Sequence, residues 1–229
     1  MDDFLNTPLF GILISILAFE VGLIIYKKTK IAIFNPLLIG IILVITILLQ
    51  FDISIDHYNQ GGSYILFLLG PATVILAVPL YLQIDLLKKN LVPILVGITV
   101  GCVSAITSVW FLAKLFNLEE LVSISMIPKS VTTPIGMEIS RQIGGEPSVT
   151  VALIVVTGIL GAVMGPFVCK LFRIKDEVAV GVSLGTASHA VGTSKAIELG
   201  ETQGAMSGLS IGVAGLITVF LAPLFMSIL

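Results

Sequence analysis

Long apolar runs separated by short polar clusters dominate the pattern along this chain. Six runs approach or exceed the roughly 20 residues a helix needs to cross a bilayer: residues 4–26, 31–49, 64–82, 91–116, 149–172 and 205–229. Two further segments, 124–143 and 178–199, have comparable length but are interrupted by polar residues. The pattern predicts an all-α polytopic membrane protein, with six long spanning helices and two interrupted or re-entrant polar helical segments. No polar stretch is long enough to fold by itself, so residues 1–229 are expected to form a single membrane domain. Its N-terminal half is 1–116, and the C-terminal half, 117–229, carries both polar segments.

The distribution of charge orients these elements, because short cytoplasmic loops collect Lys and Arg. Lys27, Lys28 and Lys30 close the first run, which is too long for a signal-peptide core and follows Asp2 and Asp3 rather than basic residues. The first run is therefore expected to span, with the N-terminus outside. Alternation then places the acidic stretch 51–56 outside, Lys88 and Lys89 inside, and Glu119 and Glu120 outside. Lys170, Arg173 and Lys175 should be cytoplasmic as well. That parity leaves 124–143 entering and leaving by the same face, as a hairpin broken at Pro128, Pro134 and Gly136. The alternative is a full crossing that puts the second basic cluster outside.

An internal repeat, inverted in topology, is also expected. Residues 111–116, FLAKLF, recur as FLAPLF at 220–225, and the basic-then-acidic stretch 140–148 resembles 194–202. Repeated units with interrupted hydrophobic segments in matching positions are characteristic of secondary transporters.

Composition narrows the function classes. Of 229 residues, 56% are hydrophobic and only 11% charged, against roughly a quarter charged in a soluble domain. Basic residues form no patch with interleaved aromatics, so no nucleic-acid partner is expected. Cys102 and Cys169 each lie inside an apolar run and make no disulfide framework. No phosphate-binding loop occurs, since the stretch 192–195 has its letters in the wrong order, and no metal-ligand spacing is present. Neither a cofactor nor a resident metal is expected.

The chemistry should lie where helices break at membrane depth, because such breaks are tolerated where the backbone lines a cavity. In the first polar segment, Pro134 suits the first turn of a half-helix with Thr132 or Thr133 as its N-cap. Ser130 adds a third hydroxyl at that entry, and Glu138 and Arg141 stand three residues apart, close enough to pair. The bland reading of that pair is a surface ion pair at headgroup level. The second segment gathers Gly185, Thr186, Ser188, His189, Gly192, Thr193, Ser194 and Lys195. His189 is read either as a substrate contact or proton carrier, or as a buried side chain bonded to a backbone carbonyl. Lys195 belongs near an end or in a watery cavity, given what a charge costs in hydrocarbon. A third site, Thr73 after Gly70 and Pro71, reads more simply as a proline kink. Gly158, Gly161 and Gly165 read as a close-packing face.

At the two polar segments, 130–145 (SVTTPIGMEISRQIGG) and 184–198 (LGTASHAVGTSKAIE), the sequence resembles the LrgB/CidB family of bacterial membrane proteins, described as antiholin-like or murein-hydrolase regulators. The similarity covers nearly the whole chain. It implies a multi-pass protein of the bacterial plasma membrane, with a small holin-like partner of the LrgA/CidA type and control of autolysis. It also implies transport, since a plastid glycolate/glycerate carrier contains a similar region and bacterial relatives are linked to pyruvate movement. No catalytic residues follow from it.

Two functional expectations result. The leading one is a secondary carrier or facilitator for a small carboxylate such as pyruvate, glycolate or glycerate. In it, Ser130, Thr132, Thr133, Ser188 and Thr193 hold the carboxylate, and His189, with Glu138, couples to protons. The other is a holin/antiholin-like protein acting with its small partner, which needs only packed helices. A homodimer is expected in either case. An intramembrane enzyme built on His189 and a serine is the weakest reading, because no nucleophile motif supports it.

Overall fold

A computed structural model describes residues 5–29, 34–68, 71, 81–82 and 84–228. Among them the chain forms ten helices and no strand: α1 (Pro8–Thr29), α2 (Pro36–Gln50), α3 (Ile55–Phe67), α4 (Ile84–Lys89), α5 (Leu91–Leu115), α6 (Glu120–Met126), α7 (Thr133–Ile143), α8 (Pro147–Leu171), α9 (Glu177–Leu199) and α10 (Glu201–Ile228). Four of them, α1, α5, α8 and α10, are long and apolar enough to cross a membrane. Their exposed faces carry large apolar side chains, such as Leu17 on α1 and Val96 and Val100 on α5. A soluble protein would not leave such faces in water, whereas lipid solvates them.

The second predicted run is shorter than expected. Asn35 accepts backbone hydrogen bonds from Leu37 (2.8 Å) and Leu38 (3.4 Å), and Pro36 takes the first turn, so α2 starts there and has only 15 residues. The third run, 64–82, falls largely outside the described residues, and Thr73 with it. What precedes that run differs from the expectation. Residues 55–63, polar and without apolar period, form most of α3, which Ser54 caps by accepting from the His57 amide at 3.4 Å.

Two compact units organise the chain, Met1–Ile75 and Leu76–Leu229. In the first, α1 packs on α2 and α3. Gly11 and Gly61 meet backbone to backbone where α1 crosses α3: a Cβ at Gly61 would lie 2.8 Å from the Gly11 Cα. The Ser15 and Tyr58 hydroxyls, 2.9 Å apart, bond across the same crossing. This tertiary contact, rather than hydropathy, accounts for α3.

The second unit is built on α5, α9 and α10. One cluster joins Ile94, Ile98 and Cys102 of α5 to Val182 of α9 and Ala205, Met206 and Ala214 of α10. Another joins Ile106 and Val109 of α5 to Ile127, Val131 and Ile139 of the α6–α7 segment and Ala222 of α10. Thus α5, grouped above with the N-terminal half, packs among C-terminal elements.

Candidate functional site

The first polar segment closes on itself. α6 and α7 are too short to span, at about 10 and 16 Å for 1.5 Å per residue. Ser125, near the end of α6, is tied to the start of α8. Its hydroxyl accepts from the Glu146 amide at 2.8 Å, and its carbonyl accepts from the Thr150 hydroxyl at 2.9 Å. Thr150 Oγ1 also lies 2.7 Å from the Ser140 hydroxyl. All three side chains are fully buried. This clasp brings the two ends of the segment together, so 125–146 is a hairpin whose tip is the turn 127–132.

Local sequence dictates that tip. Thr132 occupies the N-cap of α7 in an extended conformation, and Pro134 sits in the first turn, where a missing N–H does no harm. Thr132 makes no side-chain capping bond; the Gly136 amide reaches its carbonyl instead, at 2.8 Å. Gly136 lets the hairpin pack closely on α8, since a Cβ there would meet the end of the Ile154 side chain and lie 3.3 Å from the Pro128 carbonyl.

The second polar segment is one helix in outline and two in fact. Within α9, His189 has φ 44° and ψ −137°, a sparsely populated combination for any residue but glycine. Several contacts hold it there. His189 Nε2 donates to the Ile154 carbonyl at 2.9 Å, so that nitrogen carries a proton. Thr193 Oγ1 donates to the His189 carbonyl at 3.0 Å and meets the Ser207 hydroxyl of α10 at 2.7 Å. The glycine face of α8 admits the break: a Cβ at Gly158 would lie 2.6 Å from the His189 ring, and one at Gly161 would collide with Ser188. On the other side of α9, Gly185 meets the backbone of Ser207, and within α9 itself Gly192 packs on Ser188.

Hairpin tip and helix break lie at one level. Ile154 stands seven residues into α8, about 10 Å from its start, and it touches both Gly136 and His189. Beside them runs a groove of about 650 Å³ along α5 and the first half of α9. One end is marked by Asn90 and Asp176, which precede these helices; the other end holds Ser108, Lys129, Ser130 and Thr186. A void of only about 10 Å³ continues past Ser130 and Thr186, closed by Ile106, Ile127 and Val131. Beyond Ile127 a second groove, of about 670 Å³, lies between Trp110, Lys114 and Glu120.

Of the residues singled out from sequence, Ser130 and Thr186 line the first groove. Thr132, Thr133 and Pro134 shape the hairpin behind it. Gly185, Ser188, His189, Gly192 and Thr193 build the break and its packing. Glu138 and Arg141 form a 3.4 Å ion pair with both side chains exposed, and Lys195 pairs with Glu198 at 2.7 Å. His189 bonds to a backbone carbonyl, as one of its two readings expects, and among the described residues its ring makes no hydrogen bond to a serine.

Two groove residues carry more than the sequence reading gave them. Lys129 is half-buried, donates to the Ser130 hydroxyl at 3.2 Å, and has no ion-pair partner among the described residues. Its signal was a lysine in the middle of a broken apolar segment. Thr186 is 7% exposed, and its hydroxyl has no hydrogen-bond partner among the described residues. Ser140, Thr150 and Ser207 were also missed; they sit outside both motif centres, and only the packing joins them.

A profile of the LrgB-like family matches residues 15–228. The antiholin-like protein LrgB of Bacillus mycoides (strain KBAB4) is 38% identical over 221 residues, which is 96% of each chain. The antiholin-like LrgB proteins of Bacillus cereus (strain B4264) and Bacillus anthracis (strain CDC 684 / NRRL 3495) align over the same share at the same identity. No solved structure matches the chain. Together, the extent of the profile match and the near-full-length relatives show that this chain belongs to the LrgB-like family.

Proposed function

We propose that this protein is an antiholin-like component of a bacterial cell membrane, restraining murein hydrolase activity and autolysis together with a small holin-like membrane partner. The observation that carries this reading is the 38% identity to antiholin-like relatives over 96% of both chains. On this reading the N-terminus is outside, and the protein works as a dimer. The test is complementation in a Bacillus strain deleted for its own LrgB protein. Expression of this chain should return the rate of detergent-induced lysis to that of the undeleted strain. An unchanged lysis rate, with the chain present in the membrane, would count against the reading.

A second reading has its own support in the groove and the broken α9. It is passage of a small carboxylate, such as pyruvate, glycolate or glycerate, across the membrane. Broken helices at membrane depth are used in this way by secondary transporters. The two linkers that resembled each other in sequence, 140–148 and 194–202, each join a polar helical segment to a long apolar helix, α8 or α10; this favours a repeated unit. Uptake of labelled acid into proteoliposomes holding the purified chain alone tests it, and saturable flux is the expected result. The readings are compatible, and each has a readout that the other does not move.

A further inference from the structure

We propose that Lys129, Ser130 and Thr186 form a binding site for a small organic monoanion, a carboxylate, at the blind end of the groove along α5. The proposal deepens the second reading above by naming its site.

Three observations converge. The Thr186 hydroxyl is buried and unpartnered, which is costly for a group able to form hydrogen bonds, at about 1–3 kcal/mol. It lines the groove beside Ser130 and reaches this position because α5 presents Gly101 there: a Cβ at Gly101 would lie 2.8 Å from the Thr186 methyl group. Lys129 adds a half-buried ammonium whose hydrogen bond is to a neutral hydroxyl and whose charge no carboxylate matches among the described residues. Asp176, the one acidic residue lining the groove among the described residues, is exposed where α9 begins and caps that helix through the Ala179 amide at 2.8 Å.

The donor set selects the ligand. One ammonium neutralises one negative charge, and the hydroxyls of Ser130 and Thr186 offer hydrogen bonds to the remaining lone pairs of a carboxylate. A dianion would bring an uncompensated charge into a poorly solvated place, and a neutral amide would leave the ammonium unmatched. With about 650 Å³ available, the groove admits a short acid together with water.

The experiment uses the full chain in phosphatidylcholine nanodiscs, with radiolabelled lactate as probe and equilibrium binding as readout. Saturable binding is expected, displaced by unlabelled lactate and hardly at all by lactamide or succinate. Lys129→Gln should weaken it at least tenfold, which is about 1.4 kcal/mol. Thr186→Val should weaken it several-fold while leaving the unfolding temperature equal or higher, because the variant removes an unpartnered hydroxyl. That opposition separates a lost contact from a damaged fold. Equal affinity in Lys129→Gln, or equal displacement by lactamide, would overturn the proposal. A lipid phosphate is the competing source of an anion. Lactate binding should therefore be the same in phosphatidylglycerol discs, and its loss there would assign the site to a headgroup and overturn the small-acid assignment. Binding without flux would leave the site standing and remove the carrier reading, whereas flux undiminished in Lys129→Gln would do the reverse.

Discussion

Glycines at helix contacts divide into those that the packing requires and those it does not. A side chain at Gly161 would collide with Ser188, whereas a Cβ at Gly212 of α10 meets nothing within 4 Å. Gly161→Ala should therefore lower the unfolding temperature in detergent, since the break in α9 would have to move. Gly212→Ala should raise stability by about 0.5–1 kcal/mol through helix propensity, and a thermal unfolding series on both variants checks the pair. The clasp residue Thr150 makes a third case. Thr150→Val leaves the buried Ser140 hydroxyl and Ser125 carbonyl without its hydrogen bonds, and should cost about 1–3 kcal/mol, read as a lower unfolding temperature. Sequence could not single out Thr150 or Ser140: Thr150 is one hydroxyl at the start of an apolar run, Ser140 one polar residue among several, and only the fold brings them together.

Among whole elements, the hairpin's breaker and cap were legible because their effect is local: Thr132–Pro134 starts a helix where side-chain chemistry allows it. Asn35–Pro36 and Ser54 start helices in the same way, but the hydropathy pattern runs over the first and leaves the second in a loop. Three helices end alike, on Phe51, Phe116 and Phe172, each followed by a residue with positive φ (Asp52, Asn117, Arg173) and then an aliphatic residue. The amide of that aliphatic residue bonds back to the carbonyl five residues earlier, as Leu118 does to Ala113 at 2.9 Å, a common helix-terminating arrangement. What hydropathy hid was α3, whose polar first half is held by α1, and the shortness of α2. The hairpin makes a further claim testable at this scale. In a background of Cys102→Ser and Cys169→Ser, single cysteines at positions 119 and 146 should react with an impermeant maleimide from the same face of the membrane. Labelling from opposite faces would show that 124–143 crosses outright.

At the scale of the whole molecule, the site was half legible. Both polar segments were visible as departures from an apolar background, and their meeting at Ile154 follows from their breaks. Their roles were not visible, because hydroxyl-rich residues near a break divide into those that face the groove and those that fasten the break, and the letters are the same. His189 and Thr193 fasten; Ser130 and Thr186 face. Nothing in the sequence shows that Lys129 lines the groove, because only the packing decides on which side of the hairpin its side chain lies.

The small void closed by Ile106, Ile127 and Val131 has an electrical consequence. Water filling both grooves would be conductive, so the membrane voltage would fall chiefly across the few ångströms of apolar side chain between them rather than across the whole bilayer. Each 100 mV is worth about 2.3 kcal/mol for one elementary charge carried through the full drop. An anion passing Ile127 would then meet nearly all of that work in a single step. Ile127→Ala, which enlarges a void now about the size of one water, should let potassium-loaded liposomes lose a valinomycin-imposed potential faster than the unaltered protein does. Were the two grooves to open on opposite faces of a bilayer, its insulation at this protein would be reduced to the thickness of these aliphatic side chains.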